Sequence, residues 1–182
     1  MAETTLQVFA QIVCVFLALG AVGKLRSPGP AAQGLVVTFG QPRLGSRAVI
    51  RALSVLELAA AVVAFLTGSW PSLVLVAFLF VLFAVIVGLG LARGVTDCGC
   101  VGAAASPPDR VHLWTNLGAA GFCGAAALHG VPTAAALLAE QPLAGFPYLV
   151  AVGCAAGLLV AVVTDRAVVA GRVAALAAER AR

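Results

Sequence analysis

Charged residues are scarce in this chain: Asp, Glu, Lys and Arg make up 10% of its 182 residues, against about 25% in soluble domains. Apolar residues reach 62%, and the mean hydropathy is +1.09. This shortage of charge excludes a water-soluble globular domain and indicates an integral membrane protein. The net charge of +4 does not indicate nucleic-acid binding. The basic residues lie beside apolar runs, where they orient the chain and meet anionic lipid headgroups.

Basic residues are also missing from the N-terminus, where Glu3 is the one charged residue before the first apolar run. A cleavable signal peptide needs a positively charged n-region, so we expect the first apolar segment to stay as a membrane helix. Lys24 is the only lysine, whereas Ala, Val and Gly abound. That bias is typical of a GC-rich bacterial genome and predicts a multi-pass protein of the bacterial cytoplasmic (inner) membrane.

Five apolar runs are long enough, or nearly so, to cross a bilayer, which takes about 20 helical residues. Charged residues, prolines and a Gly-Ser-Trp-Pro turn separate them. The sequence therefore predicts an all-α integral membrane protein with a four-helix transmembrane bundle and a fifth, C-terminal transmembrane helix. We expect an interfacial loop or short amphipathic helix before residue 52, and a short surface helix near residues 131–143. The predicted spans cover residues 6–23, 52–67, 72–92, 111–128 and 146–164.

The basic residues also predict the orientation in the membrane. All 11 Lys and Arg fall in the first loop, beside the third loop, or in the C-terminal tail. With five spans, these three regions share one side of the membrane, and the other two loops carry no basic residue. The positive-inside rule then predicts an N-terminus outside and a C-terminus inside. The third loop would lie at the cytoplasmic face.

The third loop contains two cysteines, Cys98 and Cys100, separated by a single glycine. Glycines within and after the pair allow a tight turn that presents both sulfur atoms. A disulfide closed across one residue is strained, and strained exposed disulfides are the readily reduced, catalytic kind. The pattern predicts a catalytic redox pair. The alternatives are a soft-metal site for mercury, copper or zinc that His112 or another cysteine completes, and a turn with inert thiols.

Glu57 is the only charged residue between positions 52 and 92, about five residues from the cytoplasmic end of its predicted span. A carboxylate in the membrane is costly, so we expect it to face the bundle interior beside a partner. Lys24 or a proton can satisfy it, and Asn116 is a candidate structural partner on the fourth span. Its role is either to relay protons to the thiols or to hold helices together.

The other three cysteines, Cys14, Cys123 and Cys154, lie near the middle of three different predicted spans. Cysteines in such positions are usually small packing residues. Cys123 would lie roughly 15 Å below the third loop, too far for direct exchange with Cys98 unless the loop folds inward. We therefore expect packing, with a secondary redox role as the alternative.

Three motifs resemble the MauE branch of the MauE/DoxX family of redox-associated membrane proteins. They are Gly-Lys-Leu-Arg at 23–26, Leu-Glu-Leu at 56–58 and Cys-Gly-Cys-Val-Gly at 98–102. Their order and spacing are similar to the family over roughly residues 6–128. The family usually has Phe-Gly after its Cys-Gly-Cys turn, and its Arg-Asn pair corresponds here to Thr115-Asn116.

The resemblance implies a four-helix membrane domain at residues 1–130 with the Cys-Gly-Cys loop at 97–102. Residues 131–182 would add the extra helix and a basic cytoplasmic tail. It also implies thiol–disulfide chemistry in protein maturation, with Glu57 and Lys24 as supporting polar groups. A thioredoxin-like protein or a disulfide-containing client is the implied partner. Quinone is a candidate cofactor, because related four-helix folds pair thiols with quinone. The alternatives are a soft-metal membrane carrier and a non-catalytic membrane scaffold.

Overall fold

The computed structural model describes residues 2–94, 109–130, 132–140 and 142–180 of the chain. Within those ranges, the regular secondary structure is entirely helical. The helices are α1 (Ala2–Arg26), α2 (Pro28–Phe39), α3 (Arg47–Thr67), α4 (Trp70–Ala92), α5 (Arg110–His129), α6 (Ala134–Glu140) and α7 (Pro142–Arg180), with a 3₁₀ turn at Pro42–Gly45.

Four of these helices, α1, α3, α4 and α7, are long and apolar enough to cross a membrane. A fifth crossing is formed if α5 and α6, which meet at a bend of 68°, are taken as one broken span. α5 is the least apolar of the long helices because Arg110, His112 and Asn116 lie in its first two turns. The prediction of an all-α multi-pass membrane protein is confirmed, with four to five candidate spans.

The centre of the bundle is formed mainly by α1, α3, α4 and α5, with α4 packed closely on α5 and α1 packed on α3. Small side chains line these contacts, and they allow helix backbones to approach closely where lipid gives no hydrophobic driving force. The small buried residues are Ala10, Cys14, Ala60, Ala61, Ala64, Ala119, Ala120, Cys123 and Ala126. α7 packs against α1 on the outside of this group.

The start of α3 differs from the prediction. The helix begins at Arg47 and not near residue 52, because Ser46 caps it: the Ser46 side chain accepts a hydrogen bond from Val49 N at 3.2 Å. A serine N-cap satisfies a backbone N–H that the first turn cannot pair. Glu57 consequently lies ten residues, or about 15 Å, from the first residue of its helix. The prediction placed it about five residues from the end of its span.

The C-terminal region also differs. We expect a span at 146–164 followed by a basic, helical tail, and the structure joins the two into one helix, because α7 runs without interruption from Pro142 to Arg180. Proline is tolerated in the first turn of a helix, which explains the early start at Pro142. Beyond residue 164, the chain is rich in Ala and Arg, which are strong helix formers and favour continuation of the helix.

A tight contact between α2 and the 3₁₀ turn gives a first testable prediction. A Cβ atom added at Gly45 would lie 2.1 Å from Val36 Cγ2 and 2.8 Å from the Ala32 carbonyl oxygen. Gly45→Ala should therefore lower the free energy of unfolding by about 1–3 kcal/mol through overpacking. The measurement is SDS-induced unfolding in mixed micelles.

Gly29→Ala is the matched control, because a Cβ there meets no atom of the described residues within 4 Å. Equal unfolding midpoints for the two variants would show that α2 and the turn do not pack as described.

Candidate functional site

A buried ion pair joins the end of α1 to the middle of α3. Lys24 Nζ contacts Glu57 Oε2, and the two residues are only 5% and 0% exposed. Each charge alone would be costly inside the bundle, and each offsets the cost of the other. The expectation that Glu57 faces the bundle interior with Lys24 as a partner agrees with this geometry.

One aromatic ring, that of Phe83, covers the ammonium group of Lys24. Lys24 Nζ lies 4.5 Å from the centre of the Phe83 ring, within the range of a cation–π contact. The Phe83 ring meets Phe80 edge-on, with centroids 6.0 Å apart at 89°, and Phe80 stacks with Phe16 at 6.2 Å. The charged pair is therefore held against a three-ring aromatic cluster.

A small cavity of about 30 Å³ lies beside the ion pair, large enough for a water molecule. Its polar lining comes from Lys24 on α1 and from His112, Thr115 and Asn116 on α5. The aromatic cluster and Val163 of α7 form part of the apolar lining. Asn116 thus shares a cavity with Lys24, and its predicted hydrogen bond to Glu57 stays a prediction.

Asp109 fixes the orientation of His112 at the start of α5. Asp109 Oδ1 accepts a hydrogen bond from His112 N at 2.7 Å and lies 2.9 Å from His112 Nδ1. The opposite ring nitrogen, Nε2, is buried and has no hydrogen-bond partner among the described residues. When Nδ1–H donates to the carboxylate, the neutral ring keeps the Nε2 lone pair as an acceptor.

The Asp109–His112 pair was missed by the sequence interpretation, which gave His112 only a role as an alternative metal ligand. An Asp directly before a helical run is a recognised N-cap signal, and its spacing to His112 could have indicated the contact. Among the described residues, no group of three His, Cys, Asp or Glu side chains is placed to hold a metal ion.

The predicted catalytic pair, Cys98 and Cys100, lies outside the residues that the structure describes. The chain on either side of that loop is tied to the bundle by side-chain contacts. Arg93 Nη1 donates a hydrogen bond to the Thr38 carbonyl oxygen and joins the end of α4 to α2. On the other side, Asp109 binds the first turn of α5.

Two of the remaining cysteines are brought together by the fold. Cys14 of α1 and Cys123 of α5 are 2% and 0% exposed, and they belong to the same cluster of buried core residues. Cys154 is exposed on α7. The sequence has no signal for the contact between Cys14 and Cys123, because it arises only from the packing of α1 against α5.

These features define a multi-pass helical membrane protein with a buried ion pair and, between α1 and α5, a small cavity with four polar residues in its lining. The chain belongs to the family described as methylamine utilisation protein MauE, whose model matches residues 2–129. The resemblance to the MauE family is therefore confirmed. Searches of curated proteins and of solved structures found no match. The matched range contains both charged residues of the ion pair, the Asp109–His112 pair and α1 to α5.

Proposed function

We propose that this MauE-family protein is a membrane thiol–disulfide oxidoreductase, or the electron-transfer subunit of one, that uses Cys98 and Cys100. The observation that carries the proposal is the position of the small cavity that Lys24, His112, Thr115 and Asn116 help to line. One of its lining residues is His112, two residues after the start of α5, the helix that follows the cysteine loop in the sequence. Membership of the MauE family supports a redox-associated role for the same loop.

Thiol–disulfide exchange accounts for the chemistry without any further reactant. The thiolate of one loop cysteine attacks the disulfide of a thioredoxin-like partner and forms a mixed disulfide. The second loop cysteine then attacks that bond, which releases the partner as a dithiol and leaves a Cys98–Cys100 disulfide. The reverse sequence oxidises the partner. In either direction, two electrons move between the two proteins.

The attacking cysteine must lose its proton, since the thiolate is the nucleophile. His112, oriented by Asp109, supplies a ring nitrogen that can accept a proton at the base of the loop. We assign Lys24, Glu57 and Asn116 a supporting role, because they complete or adjoin the same polar region.

The proposal includes the orientation given by the positive-inside rule, with the N-terminus outside and the C-terminus inside the bacterial inner membrane. The cysteine loop and its thioredoxin-like partner then meet in the cytoplasm. Division of the chain at residue 130, with a basic cytoplasmic tail after the extra helix, is part of the same proposal.

Alkylation of the loop cysteines tests this function. A variant with Cys14, Cys123 and Cys154 replaced by Ala leaves Cys98 and Cys100 as the only thiols. We expect a bulky membrane-impermeant maleimide to label inverted vesicles, only after reduction, and to leave intact cells unlabelled. With Cys100→Ser in addition, the remaining thiol should trap a thioredoxin-like protein as a mixed disulfide.

The matched control replaces both loop cysteines by Ser in the same background and should take up no label. If both thiols react without reductant and never form a disulfide under oxidation, the redox function is wrong. Binding of mercury or copper by the same loop would then support the soft-metal carrier. An unchanged phenotype in Cys98→Ser/Cys100→Ser would support the scaffold.

A further inference from the structure

The small cavity beside the ion pair receives polar groups from two helices. Lys24 of α1 is 5% exposed, and His112 and Asn116 of α5 are 6% and 7% exposed. His112 Nδ1 lies against Asp109, so Nε2 is the ring nitrogen left for the cavity. Nε2 is buried and has no hydrogen-bond partner among the described residues. A buried nitrogen without a partner is costly, so this geometry favours a ligand that pairs with it.

Apolar residues close the cavity around these groups. Leu17, Phe80 and Val163 line it and are 3%, 1% and 3% exposed. A small molecule held between them is therefore largely enclosed by the bundle. Val163 belongs to α7 and lies outside residues 2–129, the range that the family model matches. One wall of the cavity is thus formed by a part of the chain that family membership does not describe.

The charges around the cavity narrow the class of ligand. The ammonium group of Lys24 repels a cation, and an anion would compete with Glu57, which already neutralises that ammonium group. The ligand is therefore neutral, and it must donate to the lone pair of His112 Nε2 and accept from Lys24. The cavity volume of about 30 Å³ exceeds the roughly 10–15 Å³ that one water molecule needs. Water meets all of these requirements.

We propose that this cavity is a water-binding site whose water bridges His112 Nε2 and Lys24 Nζ. The water donates a hydrogen bond to the histidine nitrogen and accepts one from the ammonium group, and the amide of Asn116 helps to hold it. The Asp109–His112 pair and the Lys24–Glu57 pair then belong to one hydrogen-bonded network that joins α5 to α1 and α3. This inference does not rest on the function proposed for the cysteine loop.

Solid-state nuclear magnetic resonance of the full chain in liposomes tests the site. The chain has two histidines, so His129→Gln with nitrogen-15-labelled histidine leaves His112 as the only labelled ring. We expect magnetisation to pass from water protons to Nε2, because the bound water is in hydrogen-bond contact with that nitrogen. Bulk water does not produce this signal, since Nε2 is buried.

A variant that fills the cavity locates the water. Gly20 lines the cavity one turn before Lys24, and a Cβ atom added there meets no atom of the described residues within 4 Å. We expect Gly20→Val to reduce the water signal at Nε2 by about fivefold or more, because the added side chain displaces the water. Gly20→Ala replaces it if Gly20→Val does not fold. Gly118→Val on α5 is the matched control, since its Cβ also meets no described atom and Gly118 does not line the cavity.

A second comparison tests the bridge to Lys24. In Lys24→Met/Glu57→Met, the water has no ammonium group to accept from, so the chemical shift of His112 Nε2 should differ from that of the wild type and the water signal should weaken. Glu140→Gln removes an exposed acid at the end of α6 and should leave both unchanged.

Each outcome decides the proposal. A folded wild-type protein without a water signal at Nε2 would overturn the water site. A full signal in folded Gly20→Val would overturn the cavity as its position, and an unchanged Nε2 shift in the double variant would overturn the bridge. Folding is judged by circular dichroism and size exclusion. None of these measurements involves the loop cysteines, so the results are independent of the alkylation experiment.

Discussion

Replacing Glu57 by Gln is expected to lower the free energy of unfolding by about 3–5 kcal/mol, because it leaves a buried ammonium group without its counter-charge. Lys24 Nζ contacts Glu57 Oε2, and both side chains are almost completely buried. Lys24→Met should cost a similar amount, since it leaves the carboxylate unpaired. The ring of Phe83 beneath Lys24 cannot replace a full negative charge.

The double variant Lys24→Met/Glu57→Met should recover most of that loss. Removing both charges also removes the cost of withdrawing them from water, and apolar replacements of similar size often match the stability of a buried pair. The effects of the single variants Lys24→Met and Glu57→Met should therefore be strongly non-additive, which a double-mutant cycle with the double variant measures. SDS-induced unfolding in mixed micelles, followed by circular dichroism, gives all four free energies.

Glu140→Gln is the control for removing an acid from this chain. Glu140 lies at the end of α6 and is exposed, so its replacement should leave the unfolding midpoint nearly unchanged. A Glu57→Gln protein as stable as the wild type would mean that the two side chains do not form an ion pair in the membrane.

The same variants separate a structural from a chemical role for the pair. If Lys24 and Glu57 only hold α1 to α3, the stable double variant should still form the Cys98–Cys100 disulfide at the normal rate. If they act on protons at the loop, the disulfide should form slowly even though the protein is folded. The double variant and the wild type are compared at similar stability. A slow reaction in the double variant therefore cannot come from unfolding, whereas in a single variant it could.

The apolar runs predict which segments become helices but not where each helix begins. The hydropathy of the chain places the start of α3 near residue 52, because Arg47 and Arg51 interrupt the apolar pattern. The structure begins the helix at Arg47, because the hydroxyl of Ser46 pairs with Val49 N. A local hydrogen bond therefore overrides the pattern, and the helix that carries Glu57 starts five residues earlier than hydropathy suggests.

Contacts between helices that are distant in the sequence were predictable only where a buried charge limits the number of possible partner residues. A lone carboxylate in an apolar run has few partners, so Lys24 could be predicted as a partner of Glu57. Cys14 and Cys123 carry no such signal, because a thiol is compatible with many packing positions. Their contact depends on how α1 is rotated against α5, which follows from the packing of the whole bundle.

Phe80→Ala should lower the free energy of unfolding by about 3 kcal/mol. Phe80 is 1% exposed in α4 and packs against the rings of Phe16 and Phe83. An unfolded chain that stays in the membrane keeps this side chain in apolar surroundings, so the loss comes from missing contacts and the remaining cavity.

Phe78→Ala is the matched control, because it removes the same side chain two residues away on the same helix. Phe78 is 60% exposed on the surface of the bundle, and its replacement should lower the free energy of unfolding far less in the same SDS titration.

Removing the Phe80 ring also takes away the edge-on partner of Phe83, which lies against Lys24. Phe80→Ala and Glu57→Gln should therefore be non-additive. Equal losses of stability in Phe80→Ala and Phe78→Ala would contradict the packing of Phe80 in the aromatic cluster. Strict additivity of Phe80→Ala and Glu57→Gln would show that the aromatic cluster does not interact with the ion pair.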